Sequence, residues 1–124
     1  MKLEIEATEA RDSIIILAID NLCKSAYATA RNNGFHNNDD QPCRKGELIA
    51  LMHSELSEAL EAIREGEPPD NKLPKFTSVE TELADVLIRV FDYAGTFNLR
   101  LGEALVAKME YNADRPHKHG GKVF

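Results

Sequence analysis

Residues 77–95 read TSVETELADVLIRVFDYAG, and this stretch predicts an amphipathic helix. Thr77 and Glu80 have the spacing of a capping box, in which each side chain bonds a free backbone N–H of the other residue. Gly95 supplies a stop, because glycine readily adopts the conformation that ends helices. The apolar residues recur at helical spacing and are expected to form a core-facing stripe of Val79, Leu83, Val86, Leu87, Val90 and Phe91.

The start of the chain predicts a first helix from about Thr8 to Asn33, with Thr8 or Asp12 as its cap and Gly34 as its stop. Its middle, residues 14–19, is apolar on nearly all sides, so more than one neighbour must bury it. A lone four-helix bundle of this size has too few neighbours to do so. We therefore expect self-association, most simply as an isologous dimer.

Two more helices complete the expected fold. One runs from about Pro42 to Glu65, and the other spans about Leu101 to Asp114. The Pro-rich segment 67–74 is expected to be a surface loop. The pattern indicates an all-α bundle of about four helices in a single domain covering the 124 residues. The expected apolar stripe of helix two consists of Ile49, Met52, Leu56, Ala59, Leu60 and Ile63.

The composition excludes several classes of protein. Hydrophobic residues make up 43% of the chain and charged residues 29%, which favours a packed core over disorder. The formal net charge of -6 argues against a nucleic-acid polymer as partner, since duplex binding requires a basic face. The longest apolar run is too short to span a bilayer, no signal-peptide pattern is present, and the two cysteines form no CxxC pair. A soluble cytoplasmic protein without a membrane partner is expected.

Two pairs of carboxylates have the same spacing on consecutive helices. Glu55 and Glu58 flank the stripe of helix two, while Glu82 and Asp85 flank that of helix three beside Arg89. Helices joined by such a loop favour antiparallel packing, so the four acids can converge. Two like charges ~4 Å apart repel by about 4 kcal/mol at an effective dielectric near 20, and a divalent cation removes that cost. Oxygen ligands alone select Mg²⁺ or Mn²⁺.

A simpler interpretation of the acidic pairs remains open. Glu-x-x-Glu is common on solvated helix faces, and Asp85 and Arg89 can form an ordinary i,i+4 ion pair. The chain would then be a non-catalytic helical interaction module. Two pairs, each beside an apolar stripe on consecutive helices, favour a metal site instead.

These motifs resemble those of the all-α nucleoside triphosphate pyrophosphohydrolases of the MazG-like type. The family pattern is Glu-x-x-Glu, a spacer and Glu-x-x-Asp, and this chain has Glu55-Leu-Ser-Glu58 and Glu82-Leu-Ala-Asp85. The likeness covers roughly Gly34 to the C-terminus, and the first helix matches only in character. Further matching segments are 53–62, 82–89, Lys108, Asn112, Arg115-Pro116 and 119–122.

The resemblance implies Mg²⁺-dependent hydrolysis of a nucleoside triphosphate, dNTP or NTP, to the monophosphate and pyrophosphate by a homodimer or homotetramer. It implies metal ligands at Glu55, Glu58, Glu82 and Asp85, and either Glu55 or Glu58 is expected to position the attacking water. The phosphoribosyl-ATP pyrophosphohydrolases share the fold and the acidic motifs and stay an alternative.

Positive and aromatic residues are the expected substrate contacts. Lys108 and Asn112 lie one helical turn apart on one face, and the basic tail 115–124 follows them. Such residues suit phosphate oxygens, although a cation at a helix C-terminus can simply complement the dipole. Phe35, beside His36, is the candidate for stacking on the base. The phosphate candidates are Lys108, Asn112, Arg115, Lys122 and Arg89, and Lys108 joins Glu55 and Glu58 as a catalytic candidate.

Overall fold

The computed structural model describes residues 1–36 and 44–115. This part of the chain folds into four helices: α1 Lys2–Asn32, α2 Arg44–Arg64, α3 Ser78–Thr96 and α4 Leu101–Ala113. No strand occurs within these ranges, and Pro69 and Thr77 form one isolated bridge in the loop before α3. The expected all-α class with four helices is confirmed. None of the four is long and apolar enough to cross a membrane.

The first helix starts earlier than expected. α1 begins at Lys2 with Met1 as its N-cap, so the predicted caps Thr8 and Asp12 are wrong. The residues before Thr8 are mostly good helix formers and include no breaker, so the helix continues through them. The Thr8 hydroxyl donates instead to the carbonyl oxygen of Glu4, one turn back along the helix (2.9 Å).

The ends of α1 and α2 and the start of α3 follow the sequence signals. Gly34 after α1 and Gly66 after α2 adopt φ of 82° and 90°, as expected of helix-ending glycines. The capping box of α3 is confirmed, because Thr77 Oγ1 accepts from the Glu80 N–H (3.2 Å) and Glu80 Oε1 accepts from the Thr77 N–H (3.1 Å). The expected start of α2 at Pro42 lies outside the described residues.

Gly95 does not end a helix as predicted, because α3 continues one residue past it. A Cβ at this position would lie 2.5 Å from the carbonyl oxygen of Cys23 and 2.9 Å from Cβ of Tyr27. Gly95 therefore allows the backbones of α3 and α1 to approach closely. Gly102 does the same for α4, where an added Cβ would lie 3.0 Å from the Ile16 carbonyl oxygen.

The packing places α3 at the centre of the molecule. α3 packs against α1 on one side and against α2 on the other, and α4 packs against α1. The order of neighbours is α2, α3, α1, α4, and no comparable contact joins α2 to α4 within the described ranges. The helices that carry the two acidic pairs are therefore adjacent, as predicted.

The predicted core stripes are only partly correct. On α2, Ala59 and Ala62 are 5% exposed, whereas Leu60 and Ile63 are 59% and 53% exposed. α2 is rotated relative to the prediction, so that small residues and Glu55 meet α3 while the larger apolar side chains face away. The predicted core residues that remain exposed in a single chain are Ile49, Leu56, Leu60, Ile63, Leu83 and Leu87.

Candidate functional site

The acidic residues of α2 and α3 converge between the two helices. Glu55, Glu82 and Asp85 each offer one carboxylate oxygen, and these three oxygens lie within 4.8 Å of one another. Three of the four predicted metal ligands therefore come together across the α2–α3 contact. The arrangement arises because the rotation of α2 turns Glu55 toward α3.

Glu58, the fourth predicted ligand, lies beside this cluster. Its side chain is exposed, and its oxygens are not among the three within mutual range. It nevertheless helps to raise the pKa of Glu82, by hydrogen bonding and by its charge. Glu58 is thus near enough to join a bound ion after a change of side-chain rotamer.

The electrostatics of the cluster are unfavourable without a cation. The pKa of Glu82 is raised to about 7, first by burial, then by its hydrogen bond with Glu58 and that residue's charge, and then by Glu55 in the same way. The pKa of Asp85 is raised first by burial and then by the charge of Glu55, which the Arg89 charge only partly opposes. Each carboxylate makes its neighbour harder to ionise.

One oxygen of the cluster also lacks a hydrogen-bond partner. Oε2 of Glu82 is buried and accepts no hydrogen bond from the described part of the chain. A buried polar atom without a partner costs free energy, and such atoms are rare in folded proteins. A divalent cation would bind this oxygen and offset the repulsion among the acids. The donor set of the cluster therefore fits a hard cation such as Mg²⁺ or Mn²⁺.

Arg89 links the two helices at this point. Its Nε donates to Oε1 of Glu55 at 2.8 Å, and the Glu55 side chain is largely buried. Sequence analysis expects Arg89 to contact phosphate or to brace Asp85, whereas its hydrogen bond is to Glu55. The guanidinium therefore fixes the orientation of one acid in the cluster.

The loop before α3 is anchored next to Glu82. Oδ1 of Asp70 accepts from the Thr81 hydroxyl (2.8 Å), and Oδ2 accepts from the backbone N–H groups of Lys72 and Leu73 (2.9 and 2.8 Å). These hydrogen bonds lower the pKa of Asp70. Together with the capping box, they hold the first turns of α3 in place and thereby position Glu82.

A cavity of about 510 Å³ adjoins the carboxylate cluster. It lies among α1, the first half of α2 and α3, and both Asp85 and Arg89 line it. Phe35, the predicted base-stacking residue, is part of its wall. The other large apolar side chains in the wall are Leu22, Leu48, Leu51, Ile88 and Phe91. A planar apolar group with a phosphate chain could occupy the cavity and reach the acids.

His36 and Asp92 form a polar contact in the wall of this cavity. The Nε2–H of the buried imidazole donates to Oδ1 of Asp92 at 2.7 Å, and the Thr96 hydroxyl donates to the same oxygen at 3.4 Å. The ring of Tyr27 lies against the imidazole, with 5.0 Å between centroids. The ring of His36 is therefore held in a defined orientation. Sequence analysis does not predict this pair, whose members are separated by 56 residues.

Arg44 is a second residue that sequence analysis misses. It lines the cavity, and its Nη2 donates to the carbonyl oxygen of Phe35 (3.0 Å). Its Nε is buried and has no acceptor among residues 1–36 and 44–115. No motif marks Arg44, and only the packing of α2 beside the end of α1 reveals its position.

The predicted phosphate contacts on and just after α4 are not near the acids within one chain. Lys108, Asn112 and Arg115 are exposed, and α4 packs against α1 rather than against α2 or α3. The Lys108 ammonium lies 5.0 Å from the centroid of the Tyr111 ring. Lys122 and the rest of the tail from residue 116 lie outside the described residues.

Comparison with known proteins adds no assignment: no family model matches the chain, and no curated protein or solved structure is significantly similar. The resemblance to MazG-like enzymes stays a prediction that depends on the quoted motifs.

Proposed function

We propose that the protein hydrolyses a nucleoside triphosphate to the monophosphate and pyrophosphate in a Mg²⁺-dependent reaction. One observation carries the proposal: Glu55, Glu82 and Asp85 converge, and Asp85 also lines a largely apolar cavity. A cation site that shares a wall with such a cavity suits a ligand with a polyphosphate end and a flat apolar end. The cytoplasmic location expected from the sequence agrees with a nucleotide substrate.

Glu55, Glu82 and Asp85 would hold the ion, with Glu58 completing the set. A bound divalent ion neutralises the triphosphate and stabilises the charge that develops during phosphoryl transfer. Arg89 supports this arrangement because its hydrogen bond keeps a Glu55 oxygen turned toward the cluster. Mn²⁺ has similar ligand preferences and should replace Mg²⁺.

Glu58 is our candidate for the residue that positions the water. Unlike Glu55, it has no arginine or lysine partner among the described residues. In the proposed step, the water oxygen forms a bond to the α-phosphorus and its proton passes to the Glu58 carboxylate. The bond between the α-phosphorus and the bridging oxygen breaks, and pyrophosphate leaves with that electron pair.

Association of copies is part of the proposal. A single chain leaves many large apolar side chains exposed on every helix, including Leu17, Leu60, Leu87 and Met109. Exposed apolar surface of this extent is typical of surfaces that bind another protein. A second copy could also bring Lys108 of α4 to the phosphate end of the site. Sedimentation equilibrium at micromolar concentration should give a dimer or tetramer; a monomer would contradict this part.

The decisive experiment is an assay of the purified protein with Mg²⁺ and a panel of ribonucleoside and deoxyribonucleoside triphosphates and phosphoribosyl-ATP. Monophosphate and pyrophosphate should appear in equal amounts, whereas release of orthophosphate would reject the bond assignment. Glu58→Gln should lower kcat by about 100-fold to 10,000-fold, since it removes a proton acceptor. Glu61→Gln, on the same helix and exposed beside Arg64, is the matched control and should keep the rate.

A further inference from the structure

Arg44 and the carboxylate cluster lie at different ends of the cavity. Both Arg44 and Glu55 belong to α2, and their separation of 11 positions corresponds to about 16 Å along the helix axis. Asp85 and Arg89 line the cavity near the acids, whereas Phe35, His36 and Arg44 meet at the other end. If the phosphates bind at the acids, the base therefore lies near Arg44.

Arg44 brings hydrogen-bond donors to this end that the protein does not fully use. A guanidinium has five N–H donors and no acceptor. Nη2 donates to Phe35 O, and the guanidinium makes no other hydrogen bond within the described ranges. Because Arg44 lines the cavity, its remaining Nη N–H groups are available to a ligand there that provides an acceptor.

Two acceptors at the same end already hold hydrogen bonds. Asp92 Oδ1 accepts from both His36 and Thr96, and the Phe35 carbonyl oxygen accepts from Arg44. Arg44 itself offers only donors, so it suits a ligand edge that accepts hydrogen bonds. Nucleobases differ in this respect: guanine, hypoxanthine, uracil and thymine carry a carbonyl oxygen where adenine and cytosine carry an amino group.

We propose that Arg44 donates a hydrogen bond to a carbonyl oxygen on the edge of the base. The cavity then selects 6-oxopurines over 6-aminopurines and 4-oxopyrimidines over 4-aminopyrimidines. This inference rests on the proposed function, because it takes the phosphates to bind at the carboxylates. It makes Arg44 a specificity-determining residue that contacts the substrate.

Inosine and adenosine triphosphates test the proposal, because their bases share one shape and differ at position 6. The wild-type kcat/KM for inosine triphosphate should exceed that for adenosine triphosphate by roughly 10-fold to 100-fold, the usual range for a hydrogen bond to a charged group. Arg44→Met should bring the ratio close to one by slowing only the inosine substrate. The uridine and cytidine triphosphates provide a second pair.

Lys45→Met is the matched control. Lys45 is exposed, does not line the cavity, and has its ammonium 4.8 Å from the centroid of the Phe97 ring. The control variant should keep the wild-type ratio. Equal rates for the two wild-type substrates, a preference for adenosine triphosphate, or a ratio that survives Arg44→Met would overturn the proposal.

A binding measurement separates this inference from the proposed function. In ¹⁵N NMR spectra, the guanidinium N–H signals of Arg44 are identified by their loss in Arg44→Met. They should shift more on addition of inosine monophosphate than on addition of adenosine monophosphate. A selective shift without turnover of any triphosphate would sustain the base recognition and reject the enzyme. Turnover without a selective shift would reject the base recognition alone. The wild-type ratio of kcat/KM for the inosine and adenosine triphosphates decides the matter even if Arg44→Met folds poorly.

Discussion

The contact of α3 with α1 and its contact with α2 differ in the groups that they bring together. Toward α1, Gly95 brings the helix against the backbone at Cys23, and the nearest atoms to a Cβ added there are the Cys23 carbonyl group and the Cβ of Tyr27. Toward α2, the contact contains three converging carboxylates and one arginine. Close packing stabilises the first contact, whereas repulsion and an unpaired buried oxygen weaken the second.

Within one helix, the contact with α1 therefore contributes stability, while the contact with α2 contains the candidate ligand site. Natural proteins often accept local instability where a ligand binds, and the surrounding structure compensates for it. Here α3 is held by α1 and by its capping box, so its acids can face those of α2.

The largest change in the free energy of unfolding is expected on the α1 side. Gly95→Ala should lower the free energy of unfolding by about 1–3 kcal/mol, because the added methyl group meets the backbone rather than a side chain that can move. The matched variant is Gly46→Ala in α2, where an added Cβ meets nothing within 4 Å. It should stabilise the protein by about 0.5–1 kcal/mol. Urea unfolding measures both, and equal effects would mean that the helices do not approach closely.

On the α2 side we expect a smaller change in the free energy of unfolding, and one of opposite sign. Glu82→Gln removes one of the repelling charges, so it should raise the stability of the metal-free protein. The same variant should lose most of the stabilisation that Mg²⁺ gives the wild type, because it lacks a ligand. Urea unfolding with chelator and with excess Mg²⁺ measures both changes, with Glu61→Gln as control. Equal Mg²⁺ stabilisation of the two variants would place the ion elsewhere.

The contribution of Glu82 to the stability of the metal-free protein should fall as the pH rises. The pKa of Glu82 rises from 4.5 to about 7 on folding, so between these values the folded state binds more protons than the unfolded state. Its contribution to the stability of the metal-free wild type should therefore be fully present below about pH 4.5 and be lost as the pH rises through 7. Glu82→Gln should flatten this slope, and an unchanged slope would assign it to other groups.

The predictable parts of the fold were those set by local spacing. The capping box of Thr77 and Glu80 and the glycine after α2 lie within a few residues of the helix ends that they define, so the sequence predicts them correctly. The start of α1 was wrong because Thr8 can serve either as a cap or as an interior helix residue. The orientation of α2 was wrong because apolar residues lie on more than one of its faces, and only packing selects between them.

The same distinction applies to the candidate site. Convergence of the acids was predictable because both i,i+3 pairs lie beside apolar residues on adjacent helices. Arg44 and the His36–Asp92 pair were not, because their partners come from distant parts of the chain and depend on how α1, α2 and α3 pack. The basic residues of α4 matched a motif, but a motif does not show which helix α4 packs against.

The position of α2 at one edge of the helix order has a consequence for ligand entry. α2 has one extensive helical contact, so its detachment is among the least costly local openings available to the fold. Such an opening withdraws Glu55 from the acids of α3 and, in the same movement, removes Leu48 and Leu51 from the cavity wall. If the proposed cation and base bind there, their release would be coupled through α2, because either ligand would favour the attached position of the helix.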